Sequence, residues 1–305
     1  MALGSVPDDQ EEVKGGIRRR KATTLTSRAA KVIALQPSSV QRTVEIASEK
    51  GASSWLSALP VAEHGFDLSK AAFRDTVCLQ YGWLVPNVPS TFACGSPFSV
   101  GNALQCPTGG FPILRHNEVR DLIADLMREV THDVATEPVL QPLSGEVLSD
   151  YRSACSDPEA RLDIATSGFF GGRFERSFFD IRVFNPHAPS NRGRLSAVYC
   201  RQDLEKRRKF GQRISEVEHA SFVPVVLSCA GGAGPSASVV LKRLASLLSE
   251  KCELRYSVTL AWLRTCLCFA LLRASIMCLR GSRSSRRVAA QTCIPPAISE
   301  GCLLR

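Results

Sequence analysis

At 305 residues the chain has material for one large domain or two smaller ones, and its few aromatics (7%) with 21 Gly and 17 Pro predict a loop-rich α/β protein. The net charge of +9 and pI near 9.1 favour acidic partners, nucleic acid first among them. The twelve cysteines are scattered, and Asp8, Asp9, Glu11 and Glu12 precede any apolar stretch. A disulfide scaffold and a secreted protein are therefore not expected, and a nuclear or cytoplasmic location is.

Residues 1–34 carry an acidic start and then Lys14, Arg18, Arg19, Arg20, Lys21, Arg28 and Lys31, which predicts a disordered basic arm. Residues 35–83 read as a helical linker segment. Val40, Val44, Ile46 and Ala47 mark one helix, Leu68, Ala72, Phe73, Val77 and Leu79 another, with Trp55, Leu56, Leu59 and Trp83 between them. Residues 84–115 hold Pro, Gly, Ser and Cys without a period, as in a loop or small knuckle.

A domain is expected over 116–280. It opens with Val119, Leu122, Ile123, Leu126, Met127 and Val130 at helical spacing, with Asn117 placed to cap them. A strand around 134–140 and an irregular acidic stretch to 159 follow. Two β-like runs come next, 161–165 and 177–184, each with one carboxylate embedded in it. Beyond the turn at Pro186 lie a highly charged helix over 198–219 and a buried strand over 222–228. The loop from Gly231 to Gly234 lacks the Gly-Lys-Ser/Thr ending of a phosphate cradle and reads as a plain turn. A helix carrying Val240, Leu244, Leu247 and Leu248 comes after it. The apolar stretch 258–279 is interrupted by Arg264 and Arg273, so it is expected as a core helix with no membrane partner. Residues 281–305 are expected to be a disordered tail. The order helix–strand–strand–strand–helix–strand–helix predicts a mixed sheet flanked by helices.

The chemistry centres on Asp163 and Asp180. Side chains alternate along a strand, so Asp180 and Arg182 share one face while Phe179, Ile181 and Val183 share the other. Two strands aiming carboxylates at one place beside a cation can hold Mg²⁺ or Mn²⁺ for phosphodiester hydrolysis. Glu118, placed in the first turn of its helix, is a candidate third ligand. Arg182 can stabilise negative charge but cannot act as a base, because a guanidinium keeps its proton. The same two aspartates also read as ordinary strand-edge carboxylates, and spacing alone does not separate the two readings.

Arg115-His116-Asn117-Glu118, then Asp163, then Phe179-Asp180-Ile181-Arg182-Val183, then Lys206-x-x-Lys209-Phe210 resemble the restriction-like endonuclease domain of non-LTR retrotransposons. That domain belongs to the PD-(D/E)XK nucleases, and the resemblance spans about residues 40–282. It implies a restriction-endonuclease-like fold with an N-terminal helical segment, nicking of DNA, and a metal held by Asp163, Asp180 and Glu118. Leu162 stands where the family has proline, Arg182 where it has lysine and Phe210 where it has tyrosine. The resemblance therefore implies that Lys206 or Lys209 supplies the missing lysine. It also implies a degenerate knuckle: Cys94 and Cys106 fall on two ligand positions, whereas Phe92 and Asn102 occupy the other two, so zinc is not expected. No Tyr-x-Asp-Asp signature of a reverse transcriptase occurs, and the chain reads as a truncated copy of such an element. The alternative is a non-enzymatic DNA- or RNA-binding remnant using Arg201, Arg207, Arg208 and Arg213 on the charged helix.

Overall fold

The computed structural model describes residues 28–92, 94–143 and 161–281. The basic run 14–21, the acidic stretch 144–160 and the tail from 282 onward lie outside the described residues. Residues 28–34 are helical and largely exposed, not the disordered arm expected there, and Ala29, Ala30 and Ala34 favour that conformation.

The N-terminal helices are α1 (Ser38–Ala47), α2 (Ser54–Ser57), α3 (Lys70–Tyr81) and α4 (Val100–Gln105). Ser69 caps α3 by accepting the amide of Ala72, and Gly82 at φ 66° ends it in the left-handed conformation. Next comes α5 (Phe111–Arg128), which starts earlier than its apolar period suggested. Gly110 at φ 72° and Pro112 in the first turn set its beginning. Asn117 is therefore no cap, and Glu118 lies well inside the helix instead of in its first turn.

The strands are β1 (His132–Thr136), β2 (Ile164–Ser167), β3 (Arg176–Phe184) and β4 (Ser221–Ser228). β1 ends sooner than the expected strand because Glu137 takes φ 52° and Pro138 follows. The charged helix α6 (Leu195–Glu216) crosses from β3 to β4, and α7 (Pro235–Lys251) and α8 (Tyr256–Arg280) complete the chain of elements. The sheet order is β1-β2-β3-β4. β1, β2 and β3 run antiparallel, while β3 and β4 are parallel from Ser177↔Ser221 to Phe184↔Ser228. The protein is thus mixed α/β, with a mixed four-stranded sheet between helices. Pro224 is tolerated because β4 is an edge strand.

Alternation along β3 assigns the two faces. Phe179 and Ile181 join Ile164, Val225 and Leu227 in a core shared with α5, α7 and α8. Phe178 packs with Phe210 and Ile214 of α6, and Phe184 with Leu195, Val198 and Tyr199 of the same helix. Full burial of each such side chain contributes about 1.5–3 kcal/mol. Helix α8 is long and apolar enough to cross a membrane. Here Leu263, Leu267 and Leu271 lie in the main core, and Phe269 and Leu272 pack on Trp55.

The segment expected as a linker is built into this unit. Ile46 completes the cluster around Phe184 and Tyr199. Arg42 donates to the carbonyls of Pro186, Asn191 and Gly193 at 2.9–3.1 Å. Glu45 Oε1 accepts the amide of Leu195 at 2.8 Å, at the positive start of α6.

Candidate active site

The β2–β3 register sets Ile164 opposite Phe179, so the next pair outward is Asp163 and Asp180. β2 stops there, which leaves the amide of Ile181 without a strand partner. The Asp163 side chain replaces the missing strand: its Oδ2 accepts that amide at 2.6 Å. Its Oδ1 accepts His116 Nε2 from α5 at 2.8 Å.

Asp180 lies on the α6 face of β3, as alternation requires. Lys206 belongs to the α6 stripe that turns Tyr199, Gln202, Asp203, Phe210 and Ile214 toward the sheet. Its Nζ stands 2.6 Å from Asp180 Oδ2, and its charge and hydrogen bond both favour the ionised carboxylate. The ammonium also lies over the Phe210 ring, 5.6 Å from its centroid.

The two carboxylates are pushed in opposite directions. Burial raises the pKa of Asp163, but the hydrogen bond and charge of His116, the Ile181 amide and Lys206 together hold it below the usual carboxylate range. For Asp180 burial dominates. Lys206 offsets it only in part and neighbouring Asp163 adds to it, so its carboxyl is raised.

Of the residues singled out in the sequence, the structure brings Asp163, Asp180 and Lys206 together. Arg182 points along the same face but pairs with Glu205 at 2.8 Å, nearer solvent. Glu118 has Arg273 and Asp121 as its charged neighbours, and burial raises its pKa. Lys209 sits over Phe210 at 5.1 Å and lines an open depression of about 520 Å³ with Arg201, Glu205 and Arg208. Arg201 donates to Ser190 O at 3.0 Å, Arg207 to Ser236 Oγ at 2.9 Å and Arg213 to Gln141 O at 2.9 Å. Three of the four arginines assigned to nucleic acid thus also tie α6 to its surroundings.

Among the described residues no three His, Cys, Asp or Glu side chains gather as a metal-binding group, so Glu118 does not complete one. Asp163 and Asp180 alone still suit Mg²⁺ or Mn²⁺, since such ions take one or two carboxylates and fill the remaining positions with water and phosphate oxygens. Oδ2 of Asp180 is buried and held by the Lys206 ammonium at 2.6 Å, so an ion bound there would share or displace that contact.

Sequence reasoning missed His116 as the partner of Asp163. It also missed Arg120, one turn further along α5, which pairs with Glu137 beside the backbone of Asp163. Their i, i+4 spacing on one helix was the available signal.

At the knuckle, the backbone bridge Thr91↔Pro97 brackets a turn in which the amide of Phe92 donates to Ser96 O at 2.8 Å. Phe92 fills a small core with Cys78, Cys106 and Leu279. Asn102 Nδ2 donates to Cys94 Sγ at 3.3 Å. The two residues in place of expected ligands therefore serve packing and a hydrogen bond.

Comparison of the chain with protein-family models and with curated proteins finds no match.

Proposed function

We propose that the chain is a metal-dependent DNA endonuclease of the restriction-endonuclease-like kind, hydrolysing one phosphodiester bond to leave a nick. The observation that carries this reading is the meeting of Asp163, Asp180 and Lys206 across two strands and a helix, with Lys206 Nζ 2.6 Å from Asp180 Oδ2. The resemblance to retrotransposon endonucleases supports it, with Lys206 beside Asp180 and Arg182 engaged instead with Glu205. Asp163 and Asp180 would hold Mg²⁺ or Mn²⁺, which when bound polarises the scissile phosphate and lowers the pKa of a coordinated water.

The protein's own groups divide the remaining work. His116 and the Ile181 amide fix the direction of the Asp163 carboxylate. Lys206 balances the charge of Asp180 at rest and donates to a non-bridging phosphate oxygen when substrate arrives. Arg201, Arg208 and Lys209 line the depression beside the site, where a strand's phosphates would be neutralised.

The test is nicking of supercoiled plasmid with Mg²⁺ by the wild type and Asp180→Ala, alongside DNA binding by each. The reading expects nicking to be lost and binding kept. Equal nicking would mark the activity as a contaminant's. A second reading, a binding protein without catalysis, is favoured by the occupation of both Asp163 oxygens within the fold. It expects salt-sensitive DNA binding with no nicking by either protein.

A further inference from the structure

Among the cysteines whose pKa is shifted, Cys94 stands apart. Burial raises the thiols of Cys229, to about 11, and Cys268, to about 12, which makes them poor nucleophiles. Cys94 is exposed at the tip of the knuckle turn, where Gly95 adopts φ 81°. Asn102 Nδ2 donates to its sulfur at 3.3 Å, and Ser96 and the Cys106 side chain also lie within hydrogen-bonding reach of it. These donors, Asn102 first, lower its pKa to about 6. Asn102 is held in place in turn: its amide donates to Ser99 Oγ at 3.0 Å, and its carbonyl accepts the amide of Cys106 at 2.8 Å. Cys106 itself is buried. An exposed thiol beside a buried one is the arrangement of an attacking and a resolving sulfur.

We propose that Cys94 and Cys106 form a redox-active dithiol that closes to an intramolecular disulfide by exchange with a small-molecule disulfide. Cys94 thiolate attacks one sulfur of the incoming disulfide, forming a mixed disulfide and releasing one thiolate. Cys106, giving its proton to solvent, then attacks Cys94 Sγ, and the second thiolate leaves. Two electrons pass from the cysteine pair to the small molecule, whose bond is replaced by the Cys94–Cys106 bond.

The test treats the full chain with oxidised glutathione, traps free thiols by alkylation, and maps peptides by mass spectrometry. The wild type is expected to yield the Cys94–Cys106 disulfide with little glutathione retained on Cys94. Cys106→Ser should instead accumulate glutathione on Cys94, because the resolving sulfur is gone. In Cys94→Ser, the buried Cys106 should remain unmodified. Asn102→Ala should move the pH midpoint of Cys94 alkylation upward from about 6, a readout independent of disulfide closure. The exposed Cys200 reports background reactivity in the same sample. Glutathione held on Cys94 equally in wild type and Cys106→Ser would overturn the proposal. So would a Cys94 that reacts no faster than Cys200 below pH 7.

Discussion

Asp163 and Asp180 face each other across the β2–β3 pair, and different donors hold them. His116 and the Ile181 amide take the two oxygens of Asp163, whereas Asp180 Oδ2 is paired with the Lys206 ammonium. Adjacent carboxylates whose pKa values are driven apart divide their roles, one staying ionised and the other holding its proton more readily. Here Asp163 is the fixed anion and Asp180 the responsive one.

Lys206→Ala therefore leaves a buried carboxyl without its counter-ion. A loss of about 1–3 kcal/mol is expected at pH 7 in urea denaturation. Asp180 already has a raised pKa, and removing Lys206 raises it further. The added penalty is absent below the ordinary aspartate value, where the carboxyl is protonated in both states, and grows as pH rises through its folded value. The variant should approach wild-type stability at pH 3. The double variant Asp180→Asn/Lys206→Met, with no charge left unpaired, should lie closer to wild type at pH 7. An equal deficit at both pH values would remove the ion pair from the account.

Asp163 has the opposite sign. Its pKa is depressed, so it stabilises the fold above the ordinary aspartate value, and that contribution is lost as pH falls through the folded value. Asp163→Ala should destabilise at pH 7 by about 1–3 kcal/mol, the cost of orphaning the Ile181 amide. Asp163→Asn keeps an acceptor for that amide and should cost less. Denaturant midpoints for the two variants at pH 7, with hydrogen exchange at Ile181, decide between them.

The strand alternation that placed Asp180 toward α6 and Phe179 away from it was readable in the sequence, as was the element order, because both follow from apolar periodicity. The start of α5 was not. Gly110 and Pro112 set it before the apolar period becomes regular, and that hid the alignment of His116 and Arg120 on one face. The partners of Arg182 and Lys206 were also hidden. Which cation of a charged helix meets a given carboxylate depends on crossover geometry that local pattern does not carry. The docking of α1 rests on Arg42 reaching carbonyls far along the chain, a relation with no local signature.

Separation of Lys206 from Arg182 gives a kinetic prediction. If Lys206 donates to the reacting phosphate, Lys206→Ala should slow nicking by about 10²-fold or more. Arg182→Ala, which removes only the partly exposed pair with Glu205, should stay within a few-fold. It should also change stability by no more than about 1 kcal/mol. Plasmid nicking under single-turnover conditions reads both. A larger loss at Arg182 than at Lys206 would exchange their assigned roles.

Just beyond α1, a half-buried carboxyl with its own pH signature packs against α6. Glu49 Oε2 accepts the Tyr199 hydroxyl at 3.2 Å and lies against Gly232, where an added Cβ would overlap the carboxylate and stand 2.5 Å from the Tyr199 oxygen. Burial first, then Glu45, lift the Glu49 pKa from 4.5 to about 7 against the lowering effects of Tyr199 and Arg42. A raised folded-state value means that its contribution is complete below pH 4.5 and is lost as pH rises through about 7. Glu49→Gln retains an acceptor for Tyr199 without the charge. It should match wild type near pH 4 and gain at pH 8, by at most about 3 kcal/mol for a shift of this size. Gly232→Ala should lose about 1–3 kcal/mol at both pH values, because the obstacle is steric. Adding Glu49→Ala should recover only part of that loss, since Tyr199 still crowds the new methyl group. Urea midpoints at pH 4 and pH 8 for the four proteins test this directly. Glu49→Gln with the same change at both pH values would show that the carboxyl ionises as freely in the fold as outside it.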